Sequence, residues 1–290
     1  MKVKPAKTQI RLAVVSNAGG SGKTTVASHL AYAIGRRGYR VVLIELDHNG
    51  SLAIFGGLPP AVAENSLARV LQKGFKGDYP LIPLWSEHLS TVSIIQGGEP
   101  LDQAINDLYA SNRKHYVLLD RLDDFPLDAD LIIFDTPASL EPMGLLALAA
   151  CTHLLAPIKP EWKDTGSLAG LYNWYCTKVD ELRLKPRPQI LGFVPCRADL
   201  NEGTHRNILG LDKSGNLRSD IDPVDTLPGQ IQQLGIECFP LIRESSFYLQ
   251  ASGVGLPLHL YRPGLKFSQD FEPIVDRLSQ LMTEEGNHAS

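Results

Sequence analysis

Apolar residues along this chain fall into two alternating rhythms. Short runs, RLAVVS, VVLIELD, LSTVSII, DLIIFDT, THLLAPI, QILGFVP and ECFPLI, read as strands buried on both faces. Between them lie stretches with apolar positions three or four apart. The clearest is TTVASHLAYAIGRRG, where Val26, Leu30 and Ile34 share one helical face and Gly38 stands where a helix would end. Further helices are predicted near 62–73, 100–113, 141–151, 164–183 and 223–234. FSQDFEPIVDRLSQLM reads as an amphipathic surface helix with Pro273 close to its start. This alternation predicts an α/β fold: a doubly wound, mostly parallel sheet with helices on both faces. The polar, glycine-bearing RADLNEGTHRNILGLDKSGN is expected to be a long surface loop. Residues 10–284 are expected to form one domain, between a short basic tail at 1–9 and a polar tail at 285–290.

Composition narrows the picture only slightly. A chain of 290 residues is long enough for a sizeable core, and a net charge of −4 argues against uniform coating of nucleic acid. Cys151, Cys176, Cys196 and Cys238 lie far apart with no C-x-x-C pair, which disfavours a zinc or iron–sulfur site and fits a reducing cytosol. MKVKPAKTQ lacks the apolar stretch of a secretion signal, and no apolar run approaches the roughly 20 residues that span a bilayer. A cytoplasmic protein is expected.

The chemistry begins at NAGGSGKTT, residues 17–25, directly after the first strand and at the start of the best-patterned helix. Gly19, Gly20 and Gly22 permit a tight turn that points successive N–H groups at an anion, and the helix adds the positive end of its dipole. Gly19, Gly20, Ser21, Gly22, Lys23, Thr24 and Thr25 are therefore the candidate nucleotide cradle. Lys23 would meet the β- and γ-phosphates, and the Thr24 hydroxyl would ligate Mg²⁺. Asp135 follows LIIF, so its carboxylate emerges at the carboxyl edge of a buried strand, where open α/β sheets bind ligands. It is a candidate for the Mg²⁺ shell. Asp47, ending VVLIELD, reaches the same edge and is a candidate both for that shell and for orienting the attacking water. Each aspartate also has a plainer reading as the cap of a following turn.

In order along the chain, GGSGKTT, LIELDHNGSL, LIIFDTPASL and LLAPIKPEWKDTGSLAGL resemble the ParA/MinD family of P-loop ATPases. The resemblance runs from about residue 10 to GVGLPLHLY near 253–261. It implies an ATPase that dimerises around two ATP molecules with Mg²⁺, binds a surface as the dimer, and lets go on hydrolysis. Asp47 matches the hydrolysis-linked aspartate of the first switch, and Asp135 the Mg²⁺-associated aspartate that opens the second. The purine pocket of the family points to Pro195–Asp199 and Pro240–Arg243, with Pro240 the residue carried forward.

Ala18 departs from the family pattern. The family's lysine there crosses to the partner's phosphates; if it acts like an arginine supplied in trans, its loss costs roughly 10³–10⁵ in rate. Lys159, in APIKPEW, is the leading substitute, with Lys163 and Arg197 behind it. A missing leading lysine combined with a lysine after the later strand resembles the McdA group, which distributes carboxysomes over the nucleoid with a small adaptor that stimulates the ATPase.

The acidic, polar ending TEEGNHAS lacks the basic amphipathic helix of the membrane-binding relatives, so no membrane insertion is expected. Arg183, Lys185, Arg187, Arg197, Arg206, Lys213 and Arg218 are close in sequence, with Arg243, Arg262 and Lys266 further on. They suggest non-specific, nucleoid-type DNA binding, or else a solvated face. Trp162 and Trp174 are expected to pack or to line an interface, and His48 receives no catalytic role. The function expected is a homodimeric ATPase that positions a cargo. Its alternatives are a nucleotide-binding scaffold with little hydrolysis and an ATP-dependent ligase or phosphotransferase on the same fold.

Overall fold

A computed structural model describes residues 9–109 and 113–284 of the chain. Eight strands form the sheet: β1 (Ile10–Val14), β2 (Val41–Glu45), β3 (Ile82–Pro83), β4 (Val92–Ile95), β5 (Leu131–Asp135), β6 (His153–Ile158), β7 (Gln189–Ala198) and β8 (Ile242–Arg243). Their order is β3-β4-β2-β5-β1-β6-β7-β8, and every pairing is parallel except that of β3 with β4. The expected doubly wound architecture is present. Its central strands β2 and β5 are buried at every position, because helices cover both faces of the sheet.

Alternate residues of each strand feed opposite cores. Leu12, Val14, Leu43, Ile94 and Ile133 pack with the long helix α1 (Lys23–Arg36) and with Ile274, Val275 and Leu278 of the last helix, Glu272–Glu284. Ala13, Val42, Ile44, Ile132 and Phe134 face Leu67, Leu101, Leu118, Leu122 and Leu146 on the other side. A third cluster, around Ile158, Phe193, Ile208, Leu227 and Ile231, lies under the outer strands. Helix α1 holds eleven buried residues and ends where predicted, with Gly38 at φ +88 just beyond it.

Several sequence expectations need correction. Of ECFPLI only Ile242 is strand, continuing into Arg243, and Cys238 makes a single bridge to Phe193, because Pro240 has no N–H to continue the ladder. The expected loop at 197–216 contains the helix Gly203–Leu209, whose His205, Ile208 and Leu209 are buried. The helix near 164–183 is two pieces, Trp162–Thr165 and Ser167–Glu181. That near 62–73 is a 3-10 turn followed by Leu67–Leu71 after an extended Ser66. The helices Ser51–Phe55, Val117–Asp124, Ser246–Ser252 and Leu258–Tyr261 and the edge strand β3 were not anticipated. Of the two expected tails, only Gln9 lies among the described residues, and its side chain bonds to the carbonyls of Leu127 and Ala129.

Trp174 packs between two of the cores as expected, whereas Trp162 is 70% exposed. No helix among the described residues is long and apolar enough to cross a membrane.

Candidate nucleotide-binding site

The carboxyl ends of the central strands open on a cavity of about 870 Å³, a size suited to a nucleotide. Residues Gly19–Val26 form one wall, Asp47, Asn49 and Ser51 another, and the segment from Ile242 to Ser252 a third. The chain leaves β1 and turns through Gly20 (φ +71) and Gly22 (φ +96), conformations open to glycine and strained for other residues. Gly22 is the N-cap of α1. No side chain caps this end and no acidic residue occupies its first turn, so the leading N–H groups are left for an anion.

Two side chains complete the phosphate end. Lys23 is buried and its Nζ donates to the Ala18 carbonyl at 3.2 Å. Burial lowers its pKa, while the carboxylates of Asp135 and Asp47 pull it back up. Thr24 faces Asp135. The Asp135 carboxyl is fully buried at the end of β5, and burial pushes it up to about 7; Thr24 opposes the shift and Glu45 adds to it. Thr24 lies close enough to influence the carboxyl without making a well-formed hydrogen bond, and both oxygens of Asp135 remain without a partner. Few native side chains are left in this state, and it suits a group that bonds only when ligand arrives.

Asp47 lines the cavity but also performs the plainer role weighed for it. Its Oδ1 accepts from the backbone N–H of Asn49 at 3.0 Å and from the Asn49 amide at 2.8 Å, an Asx turn leading to helix α2 (Ser51–Phe55). Glu45, which sequence reasoning missed, holds this region from below. Its buried carboxylate accepts from Leu52 N at 2.5 Å, Ala53 N at 3.3 Å and Gly97 N at 3.0 Å. It thereby caps α2 and pins the loop after β4. Burial raises its pKa and those three bonds oppose the rise. The signal was an acid inside an apolar run, since such residues are seldom fully buried without partners.

The substitute cations separate clearly. Lys159 follows β6 at the carboxyl edge, as expected, but it is ion-paired with Glu161 and is not among the cavity-lining residues; Lys163 reaches the same Glu161 at 3.5 Å. Arg197 does line the cavity. Its Nη1 donates to the carbonyl of Gly20 at 3.0 Å, and its Nε and Nη2 bond Glu244 at 2.7 and 3.2 Å. Of the segment Pro240–Arg243 named for the purine, Ile242 and Arg243 line the cavity together with Glu244–Ser246 and Tyr248, while Pro240 is exposed and outside the lining. Cys196 and Arg197 carry the other half of that expectation into the wall.

The basic run divides in space. Arg183, Lys185 and Arg187 are exposed around a small cleft at the start of β7, while Arg197 lies at its far end, about 30 Å away by strand length. Arg218 and Arg243 are engaged with Asp220 and Asp270, and Arg206 with the carbonyls of Leu200 and Asn201.

A glycine turn leading into an uncapped helix, a buried lysine beside a half-buried threonine, and an unpartnered aspartate one strand away define a phosphate-loop protein of the doubly wound class. Residues 9–189 match the family model described as an AAA domain, and the chain belongs to that family. It is 29% identical over 194 residues to the chromosome-partitioning ATPase Soj of Thermus thermophilus, covering 63% of this chain and 68% of that one. It is 28% identical over 182 residues to the maintenance of carboxysome distribution protein A of Synechococcus elongatus, covering 63% and 70%. Relatives of this kind are spanned over 41% to 75% of their own length. The solved structure of a Cyanothece McdA variant, in which one aspartate is replaced by alanine, in complex with ATP superposes with a TM-score of 0.77 at 22% identity. The match covers 94% of this chain and 98% of that one, a likeness of fold.

Proposed function

We propose that this chain is an ATP-dependent dimerising ATPase that binds DNA without sequence preference and positions a cargo through an adaptor that stimulates hydrolysis. The observation that carries the reading is the arrangement of Lys23, Thr24 and the unpartnered Asp135 around the open N-terminus of α1. Among the described residues no group of three or more His, Cys, Asp or Glu is placed to cage a metal. Mg²⁺ suits such a setting, because it binds through one or two protein oxygens, water and phosphate. Thr24 and Asp135 are the residues placed to hold it, and it would supply charge neutralisation at the phosphates.

Asp47, at the mouth of the cavity, is assigned to the attacking water. Lys159 is assigned to the phosphates of a second copy, exchanging Glu161 for them on dimerisation. The partition and carboxysome-distribution relatives support the cargo reading. Arg183, Lys185 and Arg187 are assigned to DNA.

A gate of this kind needs ATP to favour the dimer strongly; moving a 1:99 balance to 99:1 takes about 5.5 kcal/mol. Sedimentation and DNA retention at low salt, each with ATP or ADP, test it. Dimers retained on DNA with ATP alone are expected, and Lys159→Ala is expected to lose them. Equal retention with either nucleotide would sink the gate.

A further inference from the structure

Arg197 is built into the wall of the cavity in a way that an ordinary surface arginine is not. Strand β7 pairs with β8 through Cys196 and Ile242, then through Ala198 and Arg243, and the register shifts between these two pairs, leaving Arg197 as the extra residue. Its φ is +56, a left-handed conformation that a side chain of this size enters only under constraint. Bulges of this kind re-aim side chains beside active sites. Here the bulge turns the guanidinium off the sheet edge and onto the phosphate loop.

The guanidinium is then fixed on both sides. Glu244, one residue beyond β8, accepts from Nε and Nη2, and its own backbone N–H bonds the Ala198 carbonyl at 3.0 Å. On the other side Nη1 holds the carbonyl of Gly20. A side chain at position 20 would be strained at φ +71 and would bring its Cβ within 3.3 Å of Nη1, so the glycine also makes room for the clasp.

We infer that the Glu244–Arg197–Gly20 chain is a positioning clasp that holds the phosphate loop in its anion-receiving shape within each single subunit. The inference rests on the nucleotide-binding reading above and deepens it. Arg197 acts through the loop backbone. Since that backbone cradles the α- and β-phosphates, the clasp serves ADP and ATP alike. Its task is separate from that assigned to Lys159, which concerns a second copy. An arginine suits it because its rigid planar fork holds donors in fixed directions toward two partners, whereas an ammonium is a point charge on a flexible stem.

The test is equilibrium titration of the full chain with fluorescent ADP and ATP analogues in Mg²⁺, using the wild type, Arg197→Ala, Arg197→Lys and Glu244→Gln. A lost charge-assisted bond predicts about tenfold weaker binding of both nucleotides in Arg197→Ala, with the ATP-to-ADP ratio preserved. Arg197→Lys is expected to recover part of the loss, and Glu244→Gln, which leaves the arginine in place, to fall between wild type and Arg197→Ala. A wild type that binds neither nucleotide overturns the nucleotide reading and the clasp together. A wild type that binds, beside Arg197→Ala and Glu244→Gln within twofold of it, overturns the clasp alone. So does a variant that binds ADP normally and fails only in ATP-driven dimerisation, because that places the arginine across the interface.

Discussion

A carboxyl group sealed from water with neither oxygen bonded costs stability, and Asp135 is such a group. Its retention makes sense only if function is repaid. Asp135→Asn keeps the shape and removes the charge, so the nucleotide-free protein is expected to gain about 0.5–2 kcal/mol, the usual scale for relieving a strained functional position. The same change is expected to abolish the Mg²⁺ dependence of ATP affinity. Thermal unfolding without nucleotide and ATP titration with and without Mg²⁺ check the two halves. A variant that loses stability yet keeps its Mg²⁺ response would show that Asp135 is a structural residue. Asp135 was legible in the sequence because four apolar residues deliver it to the sheet edge. Lys159 was legible in position by the same logic, but its pairing with Glu161 was not, since a side chain two residues away competes for it locally. Glu45 was hidden by reading its apolar run as uniform, and the Arg197 clasp depends on a bulge that no periodicity announces.

At the level of elements, α1 packs on the last helix and is also tied to the late part of the chain by a buried histidine. His29 Nδ1 donates to the Thr25 carbonyl at 2.7 Å, which leaves Nε2 to accept the Leu258 N–H at 3.0 Å. Its ring stacks on Phe271 with centroids 4.8 Å apart, and His259 lies 5.9 Å away. Burial is the largest cause holding both imidazoles down, to about 3 for His29 and about 4 for His259. A histidine with a depressed folded pKa takes up a proton first in the unfolded chain, so its stabilising effect is whole above about 6.5 and drains away as pH falls toward 4. His259 alone accounts for about 2–3 kcal/mol of that loss. His259→Phe, which suits an aromatic pocket, is expected to flatten the stability–pH curve between about 6.5 and 4 in urea melts. An unchanged slope would remove His259 from the account. The long elements were legible because each has its own period: α1, the central strands and the last helix all stand within a few residues of expectation. The short helices after Gly50, Ser245 and Pro257 were not, since four to seven residues carry too little period to see and their shape comes from caps and tertiary contacts.

For the whole molecule, a net charge of −4 means that any grip on DNA is local. Arg183, Lys185 and Arg187 form an exposed group at the end of the sheet opposite the nucleotide cavity, with Arg187 paired to the exposed Asp180, whereas Arg197, Arg218 and Arg243 are paired with Glu244, Asp220 and Asp270. Under the proposed function, three phosphate contacts would give weak, salt-sensitive binding in one copy, because each neutralised phosphate adds about 0.9 to the slope of log affinity against log salt. Two copies joined by ATP would double the contacts, the second engaging at the high effective concentration set by the first. On the proposed function, weak monomer contacts would thus become a nucleotide-controlled grip without any movement in the basic group itself. Replacing Arg183, Lys185 and Arg187 together by alanine is expected to reduce the salt slope of the ATP-bound dimer by up to about 5. ATP-driven dimerisation should persist, because the group is about a strand's length from the cavity. If the slope survives the triple change while dimers still form, DNA is held by another face, and if dimerisation fails as well, the two ends of the sheet are not independent.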